Sequence, residues 1–119
     1  MFFHIPIPEY EKVTTFVGQK QEGIYDAEVN SGLFSALLEA GDVKATFVGH
    51  DHVNDFCGQH YGIFLCYGGG VGYRAYGLAG WDRRSRVIEV RDNGNTIVTW
   101  KRLDNSGFSR IDEQILYQA

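Results

Sequence analysis

Val43-Lys44-Ala45-Thr46-Phe47-Val48-Gly49-His50-Asp51-His52 is the stretch on which the fold turns. Its first six residues are rich in β-branched and aromatic types, which suit a pleated, half-buried surface, so they read as a strand. Just upstream, Leu33, Phe34, Leu37 and Leu38 recur on one face at helical spacing. Asn30 or Ser31 is placed to cap that helix, and Gly41 to close it. Further upstream, Phe2-Phe3-His4-Ile5 reads as a buried strand, ended by Pro6 and Pro8, which cannot donate to a ladder. Residues 9–26 are polar with scattered apolar positions and read as a long loop. Strand, helix and strand in that order form a βαβ unit, whose strands run parallel with both carboxyl ends at one edge.

Downstream the pattern becomes β. Ile63-Phe64-Leu65-Cys66-Tyr67 is a strand, followed by a glycine- and aromatic-rich stretch over 68–81. Nine of the fifteen glycines fall between 49 and 80, which points to turns and close backbone approaches around a site. The runs 86–91 and 96–101 flank Asp92-Asn93-Gly94-Asn95, a strong hairpin signal. Residues 102–110 read as loop, and Ile111, Ile115, Leu116 and Tyr117 fit a short helix or a final strand equally. The expected class is mixed α/β, a βαβ unit and then a β-rich C-terminal half, in one domain over 1–119.

Composition sets the bounds. With 119 residues, 44% hydrophobic and 22% charged, the chain is a globular domain with room for one core, not a disordered, collagenous or coiled-coil chain. The net charge of −4 argues against general nucleic-acid or anionic-membrane binding. The first 60 residues carry three Lys/Arg against nine Asp/Glu, and the rest carry eight against six. Arg83, Arg84, Arg86 and Arg91, part of that basic excess, read as a solvated strand face. No run of 18 apolar residues and no leader-like N-terminus is present, so the expectation is a soluble chain of open localisation.

The βαβ reading gives three histidines a common address. His4 ends the first strand and His50 and His52 follow the second, at the edge where sites in open α/β sheets lie. Neutral imidazole suits Fe, Zn, Mn or Ni, and a His-x-His pair can serve metal if the backbone turns between its members. Asp51 and Asp55 are candidate partners for the outer ring nitrogens, with turn-capping as the alternative. His60, in Gly58-Gln59-His60-Tyr61-Gly62, reads as an exposed hairpin tip. Cys57 and Cys66 flank that hairpin; packed free thiols are expected over a cross-strand disulfide, and neither thiol is marked as a nucleophile. Gly70-Val71-Gly72-Tyr73-Arg74-Ala75 matches a dinucleotide fingerprint in letters only, because no helical stripe follows it.

Phe2 to Tyr10, Gly49-His50-Asp51-His52-Val53-Asn54-Asp55-Phe56-Cys57-Gly58, Cys66 to Tyr73 and Gly80 to Val87 together resemble the calcineurin-like metallophosphoesterases, in their purple-acid-phosphatase-like branch. The resemblance implies a β-sandwich flanked by helices, a dinuclear centre of two transition ions (Fe, Zn or Mn) and a phosphate-ester substrate. It implies His4 and His50 as ligands of one ion and His52 as a ligand of the other. Tyr73, Arg74 and Tyr76 become candidates for the pocket wall, with structural packing as the alternative. The Asp-x-His, Gly-Asp-x-x-Asp and Gly-Asn-His motifs of that family are absent, and Ala45 stands where Gly41-Asp42-Val43-Lys44 should lead to an acid or Tyr. The chain is therefore expected to be the C-terminal portion of such a domain, to need the missing N-terminal half, and to carry no catalytic residue of its own.

Overall fold

The computed structural model describes all 119 residues, Met1–Ala119. After a 3-10 helix at Pro8–Lys12 come β1 (Phe16–Val17), α1 (Leu33–Ala40), β2 (Ala45–Val48), β3 (Cys57–His60) and β4 (Ile63–Tyr67). A second sheet follows, built from β5 (Arg84–Arg91), β6 (Thr96–Leu103) and β7 (Arg110–Gln118). The first sheet has the order β1-β3-β4-β2, and the second is the meander β5-β6-β7. The mixed α/β class holds, and the C-terminal apolar residues form a strand. No helix is long and apolar enough to cross a membrane.

Period-two alternation explains the layering. Ile63, Leu65 and Tyr67 of β4 face a core with Tyr10, Phe34, Leu37 and Phe56, covered by α1 and the 3-10 helix. Phe64 and Cys66 face the other way, into a smaller core with Ala45, Phe47, Ile88 and Leu116 between the two sheets. The result is a sandwich of two sheets with a helical layer on one outer face.

The βαβ unit is present in a reduced form. Phe2 bridges Phe47 in parallel, and the Phe3 N–H donates to the Phe47 carbonyl at 3.1 Å. The segment is not a buried strand, however. Phe2 is 70% exposed because nothing pairs with its outer side. The helix starts one or two residues later than its polar letters indicate. Gly32, with φ 84°, takes the N-cap position, and Asn30 Oδ1 accepts the Gly32 N–H at 3.0 Å instead of capping the helix itself. Gly41 closes the helix at φ 74°, as its sequence position requires. Leu38 lies on the exposed side. The loop expected over 9–26 contains the 3-10 helix and β1.

The hairpin at Tyr61-Gly62 turns with φ 45° and 80°, the sense that matches strand twist. Cys57 and Cys66 face each other across it in direct register and are joined as a disulfide, contrary to the free-thiol expectation. His60 is half-buried, not an exposed tip, because Phe34 of α1 covers it with ring centroids 5.2 Å apart. Leu65→Ala, at a fully buried position, is expected to destabilise the chain by about 2–5 kcal/mol in urea titration, whereas Leu38→Ala is expected to cost less than about 0.5 kcal/mol. Equal losses would contradict this layering.

Candidate functional site

The edge predicted from the βαβ unit exists. The Gly49 N–H donates to the His4 carbonyl at 3.1 Å, which sets the end of the Phe2–His4 segment against the end of β2. The backbone then turns at His50, whose φ of 73° is unusual for a side chain of that size. His4 and His50 meet edge to face, with centroids 5.3 Å apart. His52 instead stacks on Tyr76, with centroids 4.1 Å apart and planes 8° from parallel. Its Nδ1 lies 3.1 Å from the Tyr76 carbonyl oxygen.

The two candidate carboxylates are committed elsewhere. Asp51 is buried, and its Oδ2 accepts the Tyr67 hydroxyl at 2.5 Å and the Tyr25 N–H at 3.2 Å. It pins the histidine loop to the end of β4. Burial first, then that carboxylate, pushes the Tyr67 hydroxyl far above its ordinary range. Asp55 is also buried, and its Oδ1 accepts the Gln19 N–H at 2.7 Å. Its Oδ2 meets Arg84 at 3.0 Å and Lys101 at 2.8 Å. Neither carboxylate accepts an imidazole N–H.

Three of the four clustered arginines are not a solvated face. Arg84 lies against Trp81, 3.5 Å from the ring centroid, and spends its donors on Asp55 Oδ2 and the Asp82 carbonyl. Arg86 donates to the carbonyls of Tyr67 and Asp55 and to Thr99 Oγ1. Burial pushes its guanidinium down to about 10, with Asp55 opposing. Arg83 grips the glycine loop through the carbonyls of Gly72, Ala75 and Tyr76. Arg91 alone is exposed, paired with Glu89 at 2.6 Å. With their donors spent, Arg84 and Arg86 form no free anion site.

The glycine loop closes on the histidine loop. A Cβ on Gly70 would stand 3.0 Å from the His52 carbonyl oxygen, and one on Gly69, at φ 79°, would stand 2.8 Å from the Arg84 side chain. Only a side chain of hydrogen fits there. Tyr76 then bridges the two loops: its hydroxyl accepts the His52 N–H at 2.9 Å and donates to Glu22 at 2.8 Å. Glu22 had no signal in the sequence, because it acts 54 residues away. Tyr73 donates to Asp104 on the turn after β6, and Arg74 is exposed without a hydrogen bond or ion pair. Beside His4 lies an open hollow of about 580 Å³, walled by Phe2, Phe47, Val71 and Ile88 with Arg84 and Arg86.

The donor chemistry fits part of a metal centre. The ring nitrogens of His4 and His50 and the Nε2 of His52 have no hydrogen-bond partner in the chain and are open to an ion or to solvent. No group of three or more His, Cys, Asp or Glu side chains lies close enough to share an ion, and no carboxylate is free to bridge two. The residues present suit the imidazole share of a centre completed by other ligands.

The fold is a two-sheet sandwich with His4 and His50 meeting at one strand edge, and sequence relationships give its family. No family model matches the chain. It is 51% identical to "Probable inactive purple acid phosphatase 29" of Arabidopsis thaliana over 98% of its length, and 50% identical to "Probable inactive purple acid phosphatase 28" of the same plant over 99%. It is 39% identical to "Phosphatase DCR2" of Saccharomyces cerevisiae over 95% of its length. The chain spans about a third of the length of the two plant relatives and 22% of the yeast one. It is thus purple-acid-phosphatase-like, related to the C-terminal part of those proteins, a lineage that implies metal cofactors.

Lys101 sits fully buried between Asp55 and Asp112, at 2.8 and 2.6 Å. Lys101→Met leaves two carboxylates without their shared cation and is expected to cost about 3–5 kcal/mol of unfolding free energy in urea titration. Tyr10 and Tyr67 both have hydroxyls raised chiefly by burial, so they stay neutral in the folded chain beyond the pH at which they ionise when unfolded. That stability is whole below about pH 10 and is lost as pH climbs above it. The urea midpoint is expected to fall between about pH 9 and pH 11, and less steeply in Tyr67→Phe.

Proposed function

We propose that this chain supplies the histidine donors of a dinuclear metal centre in a phosphate-monoester hydrolase, whose remaining ligands come from an upstream part of the domain. His4 and His50 would hold one ion and His52 the other, with iron, zinc or manganese as suitable ions. When bound, two such ions would supply Lewis-acid charge and an activated water for displacement at phosphorus. The chain's own residues orient and support. Asp51 anchors the histidine loop through Tyr67, and Arg74 is free to pair with a phosphate oxygen. Tyr73 and Tyr76 line the same loop, already tied to Asp104 and His52.

The observation that supports this reading is that His4 and His50 meet at one sheet edge, with His52 two residues further along the same loop. The hollow beside His4 supports the need for an upstream part. Its walls are apolar and its arginines are spent, which suits a protein segment better than a phosphate. The names of the two plant relatives favour a second reading, a catalytically inactive protein of the same lineage that binds metal weakly or not at all.

Elemental analysis and p-nitrophenyl phosphate turnover on one sample separate these readings. The 119-residue chain is expected to hold at most one weak ion and to show little or no turnover. Completed with the upstream two-thirds of the Arabidopsis relative, it is expected to hold two ions and turn over. Loss of a residue that only supports a ligand costs about 10–100-fold, so His50→Ala or His52→Ala should cost more than about 100-fold. A completed protein that holds ions weakly or not at all and shows no turnover would establish the inactive reading. Turnover by the 119-residue chain itself, abolished in His50→Ala, would overturn the need for upstream ligands.

A further inference from the structure

We propose that Tyr76 is a positioning residue that holds His52 as its Nδ1–H tautomer and leaves Nε2 as the free lone pair. The 3.1 Å contact joins His52 Nδ1 to the main-chain oxygen of Tyr76. A carbonyl oxygen has no hydrogen to give, so Nδ1 must donate, and the neutral ring then carries its lone pair on Nε2. Free histidine in water prefers the opposite form, with the hydrogen on Nε2. The fold reverses that preference at one residue.

Tyr76 reaches His52 from two directions. Its ring lies flat on the imidazole, which fixes the imidazole plane, and its hydroxyl accepts the His52 main-chain N–H. Tyr76 is itself held. The hydroxyl donates to Glu22, whose Oε2 also takes the Val53 N–H at 3.0 Å, and Arg83 donates to the same Tyr76 carbonyl at 3.1 Å. The Arg83 cation draws electron density into that oxygen and pins it, so the acceptor for Nδ1–H stays in place. Neither His4 nor His50 has a comparable partner. Tyr76 therefore acts through His52, not as a pocket wall alone.

The tautomer stands on hydrogen-bond geometry. Its use, presenting Nε2 to an ion, rests on the reading of His52 as a ligand. Long-range proton–nitrogen spectra of the ¹⁵N-labelled chain at about pH 8, above the imidazole range, distinguish the two neutral forms. His52 is assigned by its absence in His52→Gln. The wild-type chain is expected to give the Nδ1–H pattern for His52, and an Nε2–H pattern there would overturn the proposal. Tyr76→Ala is expected to shift His52 toward Nε2–H, while Tyr76→Phe, which keeps ring and carbonyl, retains the wild-type pattern. Arg83→Ala, which leaves Tyr76 intact, is expected to shift it in the same direction by less. A pure Nδ1–H pattern in both folded Tyr76→Ala and Arg83→Ala would sink the positioning role. Added zinc is expected to move the His52 Nε2 signal. The Nδ1–H pattern with Nε2 unmoved by zinc would keep the positioning role, and the same result in the protein completed with its upstream part would remove the ligand reading.

Discussion

The structure depends on one carboxylate. Asp55 lies at the end of the histidine loop, buried, and accepts from Arg84 of β5, Lys101 of β6 and the Gln19 backbone. Lys101 in turn reaches Asp112 of β7, and the Asp55 carbonyl takes Arg86 and Lys101. Every strand of the second sheet is thereby tied to one residue of the loop that leads into β3. Such a network adds little net free energy, because desolvating its charges offsets most of their attraction. Burial of Phe47, Phe64, Ile88 and Leu116 drives the sheets together. The network decides their relative placement, since a shift along a strand would strand a charge in the core.

Placement of the sheets is what the histidine edge needs. Arg84 holds Asp55 and presses on Gly69, and its N–H donates to the Gly70 carbonyl at 2.9 Å. Gly70 packs against His52, so ion pairing, glycine loop and imidazole form one continuous contact path. Asp51 fixes the same loop from the opposite side through Tyr67. The site lies on loops, but each loop is anchored in a sheet.

What could be read from the letters was local. The β2 strand, the Asn-Gly hairpin and the address of the three histidines follow from periodicity and turn chemistry within a few residues of each position. The burial of the arginines is not legible in the sequence, because strand alternation says which side chains share a face, not which face lies inside. Val87 and Ile88 give no preference between faces, and the polar side became the buried one because Asp55 waits there. The helix start was misplaced because Gly32 adopts a left-handed turn before it. Glu22, Arg83 and Lys101 had no local signal, since their partners arrive only with the tertiary fold. The exposure of Phe2 is equally illegible, because strand-forming residues imply a neighbour on both sides and here one side is bare.

The long reach of Lys101 and Arg84 has a consequence for biosynthesis. The first sheet and its histidine loop leave the ribosome before the strands that neutralise Asp55. Until β5 and β6 emerge, that carboxylate has no cation and the loop beside it is held from the first sheet's side alone, through Asp51. The meander β5-β6-β7 pairs only sequence neighbours and can form as soon as it is exposed. The nascent chain thus carries an unfinished first layer through synthesis and completes it from the C-terminal end, so premature termination before β6 removes the lock along with the strand.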